Sequence, residues 1–135
     1  MTASPGAGRP GAFLAASGLV ADAVTPTRVV GSLTVGPEQH TPWGIVHGGV
    51  YATAVESAAS LGASAAVAAR GQVAVGLTNT THFLRSVTDG ELGVEAVAVH
   101  QGRSQQLWQV DIRDEHGRPV ARGELRLQNL DAPPG

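Results

Sequence analysis

The chain contains no cysteine. Disulfide staples and thiolate metal centres are therefore excluded, and the redox compartment is left unread. Aromatic residues make up 4% and charged residues 15% of 135 positions. So few charges leave much of the surface weakly charged or covered, which favours an oligomer over a monomer. There is no basic excess either, since 9 Lys and Arg face 11 Asp and Glu, for a formal net charge of −2. That balance gives no electrostatic footprint for nucleic acid. The opening MTASPGAGRPG has no apolar segment after a basic start, so no secretory leader is expected and the chain is placed in the cytoplasm. No phosphate-loop motif, no helical His pair at i,i+4 and no Ser-His-acid order is found. Neither a metal nor an organic cofactor is expected.

What the chain does have is a long run of small apolar residues with one charge in it. Between Gly48 and Ala69, in GGVYATAVESAASLGASAAVAA, Glu56 is the only side chain charged at neutral pH. The run is long enough to span a bilayer of about 30 Å. Its Ala, Ser and Gly content gives little transfer free energy, however, and a central acid adds a few kcal/mol against insertion. No aromatic belt flanks both ends. The run is read as a core helix, with no membrane partner. A carboxylate within such a helix loses hydration and needs compensating partners, unless it lies on an exposed stripe.

The length suits one domain with a core of its own. Residues 1–10 and 131–135 are rich in Gly, Pro and Ala and are expected to be disordered tails around a domain at 11–130. Residues 11–17 (GAFLAAS) suggest a short helix ending near Gly18. Arg28–Val35 reads as a first strand, and 37–49, with two prolines and three glycines, as a long shaped loop. The helix spans about 48–69. After it the period changes to two, giving strands at 73–84, 91–101, 104–113 and 120–128. Trp108, Val110 and Ile112 share one face of the third of these, and Ala121, Gly123, Leu125 and Leu127 share one face of the last. A helix that is apolar nearly all round must be wrapped. An α+β fold follows, with an antiparallel sheet of five to six strands curved around one long central helix.

This order resembles the hotdog-fold acyl-CoA thioesterases over about residues 28–128. The segment TPWGIVHGGVYATAVES carries the specific likeness, to the phenylacetate-type and 4-hydroxybenzoyl-CoA thioesterases. Glu at position 56 is similar to their glutamate-using subgroup, and AVGLTNTTHFLRSV, HQGRS and DEHGRPVA have similar stretches there. The 1,4-dihydroxy-2-naphthoyl-CoA thioesterases of menaquinone synthesis share much of this pattern. The resemblance implies hydrolysis of an aromatic or medium-chain acyl-CoA by a homodimer at minimum, with a homotetramer the common state. The alternatives are a non-catalytic acyl-CoA-binding domain and a hydratase, although the paired acid and His of the hotdog hydratases is not found.

Individual residues take roles accordingly. His47-Gly48-Gly49 opens the helix, where unpaired N–H groups and the positive end of the dipole favour charge on oxygen. The resemblance makes the Gly48 N–H the group that polarises the thioester carbonyl. Glu56 is the nucleophile or the general base; the sequence does not separate these. Ser60, at i+4, shares its helix face. Thr41 stands where related enzymes have Gln or Asn for placing water, and is shorter. His47 supports the loop more readily than it serves as a base. Arg85, Arg103 and Ser104 are the positions suggested for coenzyme A. Gly48 and Glu56 are separated by eight residues, roughly 12 Å along a helix and about 80° around it. One helix does not aim both at one carbon, whereas two helices related by a two-fold axis do.

Overall fold

A computed structural model describes residues 12–133. The tail expected at 1–10 lies outside them, as do residues 134 and 135 of the second. The chain adopts the hotdog architecture that the resemblance implied. A short helix α1 (Ala12–Ser17) leads into strands β1 (Leu19–Val24) and β2 (Arg28–Val35). The long loop follows and feeds helix α2 (Gly48–Val67). Strands β3 (Gln72–Phe83), β4 (Gly90–Gln101), β5 (Gln105–Arg113) and β6 (Pro119–Asp131) complete the chain. All pairings are antiparallel, in the order β1-β2-β4-β5-β6-β3. The last strand continues into Asp131, the first residue of the tail expected at 131–135.

The core lies between α2 and the concave face of the sheet. Ala54, Val55, Ala58, Ala59, Ala63 and Val67 are buried on the helix, against Trp108, Val110, Ile112, Leu125 and Leu127 from the sheet. The alternation read for β5 and β6 is the observed one, with every second side chain inward. Small helix residues allow the sheet to approach closely along the whole helix, which large side chains would hold off.

A polar network pins the C-terminal half of α2. Gln106, 1% exposed, donates through Nε2 to the Ala63 carbonyl at 3.0 Å and to Asn129 Oδ1 at 2.9 Å. Its Oε1 accepts from Trp108 Nε1 at 2.8 Å. The Ser64 hydroxyl accepts from the Ala74 N–H at 3.1 Å. Every buried polar group in this network therefore has a partner.

The sheet has two free edges, and they differ. β1 is short and bulged. β3 has 12 residues and exposes Val75, Leu77 and Phe83. Among the described residues no helix is long and apolar enough to cross a membrane.

Candidate active site

The loop before α2 is built to deliver Gly48. The His47 N–H donates to the Gln39 carbonyl at 2.8 Å, and the Val46 N–H to that of Val87 at 2.9 Å. His40 and Val46 form a bridge between the two ends of the loop, and His40 Nε2–H donates to the Thr88 carbonyl at 2.6 Å. Gln39 closes the preceding turn by accepting from the Gly36 N–H at 2.8 Å. Its part was not read from the sequence, because one Gln in a polar loop carries no periodic signal.

His47 is the N-cap of α2. Its Nδ1 accepts from the Gly49 N–H at 2.8 Å, so that nitrogen carries no proton while the cap holds. The ring is thus engaged with the helix end. The Gly48 N–H has no protein acceptor among the described residues. It sits in the first turn, where the helix field favours negative charge on an incoming oxygen.

A recess of about 280 Å³ opens beside it, lined by Thr41, Gly48, Tyr51, Phe83 and Arg85 among others. Three of the residues singled out in the sequence thus meet here: Thr41, Gly48 and Arg85. The Thr41 hydroxyl is committed to its own turn, accepting from the Trp43 N–H at 3.2 Å. Trp43 itself is 84% exposed and takes no part in the core. Phe83 covers Gly48: a Cβ at that glycine would lie 2.4 Å from the ring. Phe83 is also tilted at 49° to Tyr51, with centroids 6.1 Å apart. Tyr51 is buried, and that desolvation pushes its phenol up from the ordinary value.

Glu56 lies two turns further along, on the side of α2 that meets β3. The expectation of a desolvated carboxylate is not met within one protomer, where Glu56 is exposed. It stands over Gly76 of β3, where a Cβ would come within 3.4 Å of Oε2. The missing side chain at Gly76, beside a bulge, gives the carboxylate its place at the sheet edge. Asn79 Nδ2 donates to the Ala52 carbonyl at 2.9 Å, one turn before Glu56, and fixes this stretch of helix against β3. Ser60, one turn after Glu56, is half-buried on the same face.

Arg103 and Ser104 are not brought to this end of the molecule. Their turn lies at the other end of α2, where the Asn129 side chain donates to the Arg103 carbonyl at 3.2 Å and its N–H to that of Ser104 at 2.8 Å. Within one protomer Arg85 and Arg103 do not grip one ligand. Among the described residues no group of three His, Asp or Glu side chains is placed to hold a metal ion.

Comparison with known proteins gives a consistent set of relatives. The profile of the family described as the Thioesterase superfamily matches residues 44–121. Rv1847 of Mycobacterium tuberculosis (strain ATCC 25618 / H37Rv), provisionally named an esterase, is 46% identical over 104 residues, 76% of this chain and 74% of that protein. The solved structure of Rv1847/MT1895 superposes with a TM-score of 0.86 at 43% identity, covering 90% of this chain and 98% of that one. The crystal structure of AziG from S. sahachiroi gives a TM-score of 0.87 at 40% identity over 91% and 99% of the two chains. A protein of Listeria monocytogenes serotype 1/2a named 1,4-dihydroxy-2-naphthoyl-CoA hydrolase is 35% identical over 88 residues, 65% of this chain and 71% of that one.

Proposed function

The chain belongs to the thioesterase superfamily, and from that premise we propose that it hydrolyses an acyl-CoA thioester to the free acid and coenzyme A. One observation carries the reading. Glu56 faces out over the open β3 edge, while the unpaired Gly48 N–H lies eight residues away at the helix start. A strand edge of 12 residues with exposed Val75, Leu77 and Phe83 invites pairing with another strand. Pairing β3 with a second copy about a two-fold axis extends the sheet and sets the two helices antiparallel. Gly48 of one subunit then meets the partner subunit's Glu56, twice per dimer. Dimers of this kind can assemble further into the tetramer that the resemblance implied.

The chemistry follows from those two groups. The Gly48 N–H and the helix field stabilise the oxygen of the thioester carbonyl as it gains charge. Glu56 either attacks the carbonyl carbon, forming a mixed anhydride that water then opens, or takes a proton from water that attacks instead. In both routes the C–S bond breaks, and the thiolate of coenzyme A leaves and is protonated. Arg85, which lines the recess, supplies a guanidinium for a phosphate of coenzyme A in this reading. Arg103 and Ser104 reach the same ligand only from the partner subunit. The likeness to the Listeria hydrolase supports an aromatic acyl group, of which dihydroxynaphthoyl is one, with medium-chain groups the other class.

The test is thiol release across aromatic and medium-chain acyl-CoA thioesters, with Glu56→Gln beside the wild type. The variant is expected to lose about 10³-fold in turnover and to keep its fold. Near-normal hydrolysis by Glu56→Gln would refute the role. Acyl-CoA binding without thiol release by the wild type would make the chain a binding domain. A monomer that turns over would remove the shared site.

A further inference from the structure

Tyr51 carries a hydroxyl that nothing among the described residues answers. The side chain is 3% exposed, and its oxygen is buried without a hydrogen-bond partner. Such groups are rare, because burying an unpaired hydroxyl is costly. A phenylalanine would fill the same space without that cost. Its ring packs against Phe83, and the recess it lines carries Ile45, Val46 and Leu84 beside the polar Thr41, Arg85 and Ser86, none of which bonds the hydroxyl.

The hydroxyl's position gives it a use. Tyr51 lines the recess that also holds Gly48, one helical turn away. The recess, about 280 Å³, is at the small end for ligand pockets and suits a compact acyl group. Phe83 lies over Gly48 and against Tyr51, yet 58% of it is exposed. The ring stands between the hydroxyl and the outside at the end of β3, so an entering acyl group reaches the hydroxyl by displacing it.

We propose that Tyr51 determines specificity: its hydroxyl hydrogen-bonds an oxygen that the acyl group carries beyond the thioester carbonyl, so the site selects compact, oxygen-bearing acyl-CoA thioesters over their hydrocarbon analogues. The inference rests on the thioesterase reading above. A phenol both donates and accepts, so a hydroxyl or a keto oxygen on the acyl group satisfies it. An analogue without that oxygen leaves the buried phenol unpaired, and that is the source of discrimination. The Gly48 N–H serves the reacting carbonyl, and Tyr51 serves the remainder of the acyl group.

The experiment compares matched pairs: benzoyl-CoA with its 3- and 4-hydroxy derivatives, and butyryl-CoA with 3-hydroxybutyryl-CoA. The wild type should show a higher kcat/KM for the oxygen-bearing member of at least one pair. In Tyr51→Phe that ratio should fall about tenfold toward unity. The melting midpoint of Tyr51→Phe should be no lower than that of the wild type, because no internal hydrogen bond is lost. Thiol release by the wild type without preference within any pair overturns the proposal and leaves the thioesterase reading standing. A preference that survives in Tyr51→Phe also overturns it, as does a drop in melting midpoint. No thiol release from any thioester overturns the thioesterase reading and this proposal with it.

Discussion

Two glycines in α2 each lie beneath an aromatic ring, one at each end of the helix. A Cβ at Gly62 would lie 2.4 Å from Trp108, and a Cβ at Gly48 would lie 2.4 Å from Phe83. The contacts match, but the surroundings do not. Trp108 is fully buried, and its indole N–H is held by Gln106. Phe83 is more than half exposed, and the tyrosine beside it has an unanswered hydroxyl. At the C-terminal end Gln106, Trp108, Ser64 and Asn129 have partners within the chain, and only Gln72 Oε1 is buried without one among the described residues. At the N-terminal end the Gly48 N–H and the Tyr51 hydroxyl have none, and the Glu56 carboxylate is exposed. A helix closed at one end can be left open at the other, and groups left unsatisfied by the fold remain available to a ligand and a second subunit.

Removing Gln106 attacks the closed end hardest. Gln106→Leu strips partners from Trp108, Asn129 and the Ala63 carbonyl at once, all in the core. A loss of about 3 kcal/mol in unfolding free energy is expected by denaturant titration. A loss under ~1 kcal/mol would mean that the network does not hold the two layers together.

The glycines allow a direct contrast. Gly62→Ala forces a methyl into Trp108 and Val29, which have nowhere to go. Overpacking of about 1–3 kcal/mol outweighs a helix-propensity gain of about 1 kcal/mol. Gly48→Ala meets a ring that is more than half exposed and has more room to shift than the enclosed Trp108, so stability should change by under about 0.5 kcal/mol. Its turnover should instead drop about 10²-fold, because the displaced ring misplaces the carbonyl against the N–H. Equal stability losses in the two variants would erase the distinction between the ends.

The smallest effect lies in the β5–β6 connection, beside the open end. Burial alone would raise the Asp114 carboxyl, but hydrogen bonds from the Arg118 and His116 N–H groups and the Arg118 guanidinium hold it below the usual carboxylate value. A lowered carboxyl stabilises the fold above its unfolded value, near ~4, and that contribution fades as pH falls through the folded one. Asp114→Asn should therefore melt slightly below the wild type at neutral pH, and the gap should close in acid. A gap independent of pH would assign the turn's stability to shape alone.

Most of the fold was legible because α2 is one long uninterrupted run of small apolar residues and the strands after it are rich in Val and Thr, with β5 and β6 alternating strictly. The bounds of β2 came directly from its Val-rich run, and the faces of β5 and β6 from strict alternation. β1 escaped notice: it is short, exposed over five of six positions, and bulged, so its side chains alternate against nothing. In the site, the helix opening and the isolated acid were visible as departures from pattern. Asn79 and Gln39 were not, because their value lies in particular hydrogen bonds to main-chain groups, of Ala52 across the fold for Asn79 and of nearby Thr34 and Gly36 for Gln39, which no pattern announces. The wet setting of Glu56 was hidden for another reason. A lone acid in a run of small residues does not report which face of the helix meets solvent, and the run leaves the exposed and buried settings equally open.

The placement of the two tryptophans also equips the chain for spectroscopy. Trp43, 84% exposed on the loop that delivers Gly48, should emit at long wavelength and be quenched by soluble quenchers. Trp108, wholly enclosed, should emit at shorter wavelength and be shielded from them. One cuvette can thus follow ligand entry and unfolding as separate colours, without a label.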